Sequence, residues 1–147
     1  TTIEIWLQLA QHAEAEANAP LAIAPKPAGA GVRILVVEDD KSVRQSMVEL
    51  LETLGYQVSQ ADDGEAGLRE LRRAKPHLMI TDYLMPGMTG AQLVAAANIE
   101  FPGLPMIIAT GYADMEAIDA VIGDNTVLRK PFHLGQLAAT VDQALRR

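Results

Sequence analysis

Short apolar runs alternate with helical patterns along the chain from Gly31 onward. Five short runs are predicted as strands, at 32–37, 56–61, 77–81, 105–109 and 126–129, and the first is apolar throughout, as expected of a strand buried on both faces. A helical pattern follows each run, over 41–54, 64–74, a segment after Thr89, 114–123 and 134–147. Five such βα units predict an α/β fold, a doubly wound five-stranded parallel sheet with helices on both faces.

Residues that favour helix ends support these boundaries. Asp40, Asp63 and Thr89 each stand directly before a helical pattern, where a side-chain oxygen can accept hydrogen bonds from the first N–H groups. Gly55 can adopt the left-handed conformation that ends a helix. Pro76 cannot continue one, because it has no N–H group to donate.

Polar residues follow four of the five predicted strands. Glu38 and Asp39 follow the first, Asp82 follows the third, Thr110 the fourth and Lys130 the fifth. The carboxyl ends of parallel strands meet at one edge of a doubly wound sheet, which is where such sheets bind ligands. We therefore expect these side chains to form one pocket.

Three carboxylates in one pocket indicate a divalent cation, since they would otherwise repel each other. Mg²⁺ prefers oxygen ligands and is bound through one or two carboxylates, water and phosphate. We predict Asp39 and Asp82 as direct ligands, Glu38 as a ligand through water, and a backbone carbonyl after Asp82 as a further ligand. The competing interpretation is a solvated helix start, which explains Asp40 but not the other strand ends.

Asp82 is the carboxylate best placed to act as a nucleophile. A carboxylate can attack phosphorus and form an acyl phosphate, and the three oxygens of the transferred group then need compensating charge. The metal can serve one oxygen, Lys130 a second, and Thr110 with backbone amides a third. The Lys130–Pro131 bond can be cis, which would turn the lysine towards the pocket.

Composition narrows the function classes. The net charge of −7 argues against direct binding to nucleic acid, which needs a basic surface. There is no cysteine, so disulfides and thiol chemistry are excluded. No apolar run approaches the roughly 20 residues that span a bilayer, so we expect no membrane contact by this segment and a cytoplasmic location, although the parent protein could be membrane-attached.

The motifs at these strand ends resemble those of the response-regulator receiver family. They are ILVVEDD at 34–40, DYLMPGMTG at 82–90, TGYA at 110–113 and RKPF at 129–132. Each motif is weak alone, but their order and placement make the resemblance specific, and it covers about residues 32–147. It implies a flavodoxin-like fold with strand order 2-1-3-4-5.

The resemblance also implies the chemistry. Family members transfer a phosphoryl group from a phosphohistidine to the aspartate that matches Asp82, with Mg²⁺ as cofactor. The matching site residues are Glu38 and Asp39 for the acidic pair, Leu84 for the carbonyl that binds the metal, Thr110 for the switch hydroxyl and Lys130 for the motif lysine. The implied partner is a histidine kinase or a histidine phosphotransfer protein. The formation of a homodimer is a further option that the sequence does not decide.

The sequence departs from the family pattern in two places. Family members commonly have an aromatic residue three positions before the lysine, and here it is Val127. The interval between Thr110 and Lys130 is slightly short, so the fourth helix is expected to be truncated or irregular. Leu84 and Tyr112 flank the position from which water would attack the acyl phosphate. Both side chains are bulky, and that of Leu84 cannot orient a water molecule by hydrogen bonding. Slow autodephosphorylation is therefore predicted.

The first 31 residues lie outside the predicted receiver. Residues 2–9 alternate polar and apolar like a half-buried strand, and they resemble the last strand of the ATP-binding domain of sensor histidine kinases. We therefore predict a remnant of a preceding domain at 1–17, an Ala/Pro/Gly linker at 18–31 and a receiver domain at 32–147. A helix over the first segment is the competing interpretation, because Ile3, Trp6 and Leu7 also share a helical face.

The predicted function is the receiver module of a hybrid histidine kinase cut from a longer protein, which the absent initiator Met suggests. A stand-alone response regulator is the alternative, with the same chemistry. A phosphohydrolase of the haloacid-dehalogenase type is more distant, because its nucleophile would follow the first strand and a second aspartate is missing after Asp82. A degenerate receiver is disfavoured by the intact site residues, and a dinucleotide-binding domain by the absence of a glycine-rich loop.

Overall fold

The computed structural model describes residues 29–111 and 125–147. The predicted remnant at 1–17, most of the linker and the helix predicted over 114–123 lie outside these residues. The strands are β1 Arg33–Val37, β2 Gln57–Ala61, β3 Leu78–Asp82, β4 Met106–Thr110 and β5 Thr126–Arg129. The helices are α1 Lys41–Thr53, α2 Gly64–Ala74, α3 Gly90–Glu100 and α4 Leu134–Leu145.

The five strands form one parallel sheet in the order β2-β1-β3-β4-β5. This confirms the predicted topology. Three of the four neighbouring pairs are also consecutive in sequence, and the exception is β1, which lies between β2 and β3. The order of the strands reverses its direction at β1, so the pocket lies where the carboxyl ends of β1 and β3 meet.

Helices cover both faces of the sheet, as predicted. One core cluster packs β-strand residues such as Ile34 and Ile80 against Leu51 of α1 and Leu137 of α4. The other packs the opposite face against α2 and α3, through Leu71, Leu93, Val94 and Ala97. Every residue of β3 and β4 is buried, and all of them are apolar except those at the carboxyl ends, Thr81 and Asp82 in β3 and Thr110 in β4.

The helix caps are those that the sequence predicts, with one addition. The Asp40 carboxylate accepts hydrogen bonds from the N–H groups of Ser42 and Val43, at 2.8 and 3.0 Å. Asp63 caps α2, and Thr89 forms a reciprocal capping box with the third residue of α3. The addition is His133, which caps α4 in the same reciprocal way.

Two of the three histidines, His77 and His133, have structural roles. Besides the cap at His133, the Nδ1 atom of His77 accepts a hydrogen bond from the N–H group of Arg33 at 3.0 Å.

Gly55 has a φ of 88° directly after α1, which only glycine adopts without strain. None of the helices within 29–111 and 125–147 has the length and apolar character needed to cross a lipid bilayer.

Candidate functional site

The fold brings the predicted site residues to one edge of the sheet. β1 and β3 pair in the register Val37 opposite Thr81, so the residues that follow and end these strands are adjacent. On the other side of β3, Asp82 lies opposite Ala109 of β4, and Thr110 is the next residue of that strand. The carboxyl ends of four strands therefore converge on Asp82, as the strand-end pattern predicts.

Lys130 joins two of the carboxylates. Its Nζ atom donates hydrogen bonds to Oε2 of Glu38 and to Oδ1 of Asp82, both at 2.7 Å. The backbone N–H of Lys130 donates to the carbonyl of Thr110 at 2.8 Å, which ties the lysine to the end of β4. The Lys130–Pro131 peptide bond is cis, as the sequence suggested.

Glu38, Asp39 and Asp82 form an acidic cluster. One carboxylate oxygen of each lies within 4.8 Å of those of the other two. Glu38 is 2 % exposed and Asp82 9 % exposed, whereas Asp39 faces solvent. Hard carboxylate oxygens at this spacing, open to solvent on one side, fit Mg²⁺, which keeps some of its water ligands.

The charges of the pocket are strongly coupled. Burial raises the pKa of Glu38 most, the hydrogen bond from Lys130 lowers it and the charge of Asp82 raises it again, so that the pKa lies above its ordinary value. Burial alone would lower the pKa of Lys130, but the hydrogen bonds to Asp82 and Glu38 outweigh burial and raise that pKa. Lys130 is therefore a cation at neutral pH and available to an anionic group.

Thr110 lies beside the acidic cluster without being bonded to it in the described contacts. Its side chain is buried, and its hydroxyl donates to the carbonyl of Gly111 at 3.2 Å. This is a weak local bond that a better acceptor could replace. The predicted role of Thr110 as a donor to a phosphoryl oxygen thus stays a prediction, made from a buried hydroxyl at the right strand end.

The loop after Asp82 is held close to the strand. The N–H of Gly90 donates to the carbonyl of Tyr83 at 2.9 Å. A Cβ atom on Gly90 would lie 2.0 Å from the carbonyl oxygen of Asp82, so no larger residue fits without a backbone shift. The side chain of Leu84 is 56 % exposed beside the pocket. Sequence reasoning did not single out Gly90, although a glycine directly after a helix cap was the available signal.

A second residue that the sequence did not reveal is Arg44. Its Nη1 atom donates to the backbone carbonyls of Glu38, at 2.6 Å, and of Asp39, at 3.4 Å. No motif marked this arginine, because its role depends on the way in which α1 returns over the end of β1.

Val127 occupies the position expected for an aromatic residue and is half-buried in β5.

Comparisons with known proteins agree with this geometry. The response regulator receiver domain family matches residues 34–142. The receiver protein CpdR of Brucella abortus is 35% identical over 115 residues, which are 77% of this chain and 96% of CpdR. The transcriptional regulator FixJ of Bradyrhizobium diazoefficiens is 32% identical over 116 residues, 78% of this chain but 57% of FixJ. This chain thus corresponds to about half of that longer relative.

The fold is also that of solved receivers. The crystal structure of a response regulator receiver domain protein from Clostridium thermocellum superposes with a TM-score of 0.75 at 28% identity, covering 79% of this chain and 95% of that one. With the strand order, the converging strand ends and the sequence match in agreement, this chain belongs to the response regulator receiver domain family.

Proposed function

We propose that this receiver accepts a phosphoryl group on Asp82 from a phosphohistidine, with Mg²⁺ as cofactor. The observation that carries the proposal is the position of Asp82 at the end of the central strand β3. There it is hydrogen-bonded to Lys130 and lies within 4.8 Å of the carboxylates of Glu38 and Asp39. A nucleophilic carboxylate, a cation and a set of metal ligands therefore share one small pocket.

In the proposed reaction, a carboxylate oxygen of Asp82 forms a bond to phosphorus. The bond from phosphorus to the imidazole nitrogen of the donor breaks, and its electron pair stays on that nitrogen. Asp39, Asp82 and the backbone carbonyl of Leu84, with Glu38 acting through water, would hold Mg²⁺, and the bound ion would neutralise charge on a phosphoryl oxygen. The remaining charge is left to residues of the chain.

Lys130 and Thr110 provide that remaining compensation. The ammonium of Lys130 exchanges its hydrogen bonds to the carboxylates for one to a phosphoryl oxygen. The hydroxyl of Thr110 exchanges its weak bond to the Gly111 carbonyl for one to another phosphoryl oxygen. Because position 127 is a valine, an aromatic residue cannot report this movement of Thr110 from there, and another element must do so.

The donor and the parent protein are part of the proposal. We infer a histidine kinase or histidine phosphotransfer protein as partner, since CpdR, FixJ and similar proteins are response regulators. The strand-like pattern at 2–9 and the linker after it favour a hybrid histidine kinase over a stand-alone regulator. The genomic sequence upstream of Thr1 tests this point, and a gene that encodes no kinase domain there would exclude it.

Incubation with acetyl phosphate and Mg²⁺, followed by intact-mass measurement, tests the chemistry. We expect the wild-type chain to gain one phosphoryl group, only when Mg²⁺ is present. Asp82→Asn should gain none, and Asp62→Asn, which changes an exposed carboxylate in the same way, should behave like the wild type. A mass gain in both the wild type and Asp82→Asn, or in neither, contradicts the proposal.

A further inference from the structure

Arg44 connects the acidic cluster to the rest of the sheet through the backbone. Its guanidinium donates to the carbonyls of Glu38 and Asp39 through Nη1, while its Nε atom donates to the side-chain oxygen of Gln60 at 3.3 Å. Gln60 belongs to β2, on the far side of β1. The guanidinium of Arg44 therefore connects the carbonyl of Glu38, through its short bond, to Gln60 of a neighbouring strand, and it reaches the carbonyl of Asp39 through a longer bond.

We propose that Arg44 is a positioning residue that sets the carboxylates of Glu38 and Asp39 for Mg²⁺. This rests on the proposed function of the cluster. The N–H of Glu38 is fixed by the carbonyl of Ala61 at 3.1 Å, so Arg44 supplies the second restraint on the peptide units that follow β1. Because the backbone of Glu38 and Asp39 is held in place, their side chains start from fixed positions close to Asp82.

The geometry requires an arginine rather than any cation. A guanidinium is planar and presents several donors in a rigid fork, so it can serve acceptors in different directions at once. Here the fork reaches two carbonyls on one side and an amide oxygen on the other. An ammonium group is a single compact point of charge and would not hold the same three acceptors in one plane.

The positive charge of Arg44 disfavours Mg²⁺ binding to the acidic cluster, whereas its positioning of the backbone favours that binding. The two effects therefore predict opposite changes in Mg²⁺ affinity when Arg44 is replaced by a neutral residue. A positive charge beside a divalent cation lowers the affinity of the site through repulsion. If Arg44 acted only as a charge, its neutral replacement would tighten Mg²⁺ binding. If it acts by positioning, both a neutral and a cationic replacement weaken binding.

Arg69 is a matched control. Arg44 and Arg69 line the same surface cavity between α1, β2 and α2. Arg69 is exposed, and its side chain forms no hydrogen bond or ion pair with the described residues. Its replacement removes the same kind of charge from the same region without touching the backbone of the acidic pair.

Isothermal titration calorimetry of the unphosphorylated chain with Mg²⁺ is the primary test. We expect Arg44→Lys and Arg44→Gln to bind Mg²⁺ roughly tenfold more weakly than the wild type, as is typical when a partner of a metal ligand is removed. Arg69→Gln should bind like the wild type or slightly more tightly. With acetyl phosphate, the half-saturating Mg²⁺ concentration should rise in the Arg44 variants, while the rate at saturating Mg²⁺ stays near that of the wild type.

Gln60→Ala is a second variant that tests the same contact if the Arg44 variants do not fold. It removes only the acceptor of the Nε atom, and we expect Mg²⁺ binding to weaken by about threefold, a smaller loss than for Arg44 itself. Wild-type affinity in the folded variants, or tighter binding by Arg44→Gln, overturns the inference and leaves the proposed function intact. Failure of the wild-type chain to bind Mg²⁺ instead overturns the proposed metal site, and this inference with it.

Discussion

At the scale of single residues, the pocket is a balance between three carboxylates and one ammonium group. Lys130 binds Glu38 and Asp82 at equal distances of 2.7 Å, so it compensates two buried charges at once. The third carboxylate, Asp39, faces solvent and has water to stabilise it. An incoming cation competes with Lys130 for the carboxylate oxygens, whereas a phosphoryl group competes with the carboxylates for the ammonium of Lys130, so either one changes this balance directly.

Glu38 gives the pocket a dependence on pH. Its pKa is raised above 4.5 in the folded chain, so the folded state holds this proton at pH values where the unfolded state has lost it. The contribution of Glu38 to the free energy of unfolding therefore falls as the pH rises from about 4.5 through the raised pKa. Glu38→Gln lacks this titration.

Urea unfolding with EDTA at a series of pH values measures the effect. The free energy of unfolding of the wild type, minus that of Glu38→Gln, should decrease as the pH rises through this range. An increase of that difference with pH would show that the folded state favours the ionised form of Glu38, contrary to the burial that the structure shows.

Leu84 is predicted to slow the loss of the phosphoryl group. Its exposed side chain borders the pocket and has no group that can orient a water molecule by hydrogen bonding. Leu84→Asn supplies such a group, and we expect the acyl phosphate to decay several-fold faster. Ile99→Asn, the same kind of change at a residue 83 % exposed on α3, should leave the lifetime unchanged. A lifetime that is equal or longer in Leu84→Asn contradicts this prediction.

At the scale of elements, α3 is packed unusually close to the end of β3. It begins at Gly90, where a Cβ atom would meet the backbone oxygen of Asp82 at 2.0 Å. Gly90→Ala should destabilise the chain by about 2 kcal/mol through overpacking and slow phosphorylation, because the backbone of Asp82 has to shift. Urea unfolding and acetyl phosphate kinetics measure both effects.

Gly135→Ala is the control for Gly90→Ala. Gly135 also lies in the first turn of a helix, but its nearest contact is with side-chain atoms of the cap residue His133, at 3.3 Å, and not with backbone. Alanine favours a helix over glycine, so this variant should be neutral or slightly more stable. Equal stability of the Gly90 and Gly135 variants would mean that α3 yields more easily than its packing indicates.

The elements were predictable from the sequence where local chemistry determines them. β3 and β4 are apolar up to their carboxyl ends because both faces are covered, and Asp40, Asp63 and Thr89 cap helices through bonds to residues two or three positions away. Strand starts differed from the prediction by one residue at β1 to β4. The contacts of Arg44 were not predictable, because they depend on which segments meet after folding.

At the scale of the whole molecule, topology rather than any one motif creates the site. Glu38 and Lys130 are separated by 92 positions, and Asp82 and Lys130 by 48. The sheet order brings them together, so even the candidate pocket could be predicted once the five βα units were recognised. Its hydrogen bonds could not, since the distances among charged side chains depend on how the strand ends are held.

Relatives of this receiver differ in what they carry beyond the shared domain. FixJ extends well past the matched region, whereas CpdR is almost entirely receiver. Both kinds of relative have the domain that this chain shares with them. The phosphoryl chemistry is therefore the part of the function that the described residues can support by themselves.

The position of the phosphoryl group is the most direct measurement of that chemistry. The chain is treated with acetyl phosphate and Mg²⁺, reduced with borohydride, which converts an acyl phosphate to an alcohol, and mapped by peptide mass spectrometry. We predict reduction at Asp82 alone, and none when Mg²⁺ is omitted. Reduction at Asp39 or Glu38 with Asp82 unchanged, or no reduction at any residue, would contradict the assignment of Asp82 as the phosphoryl acceptor.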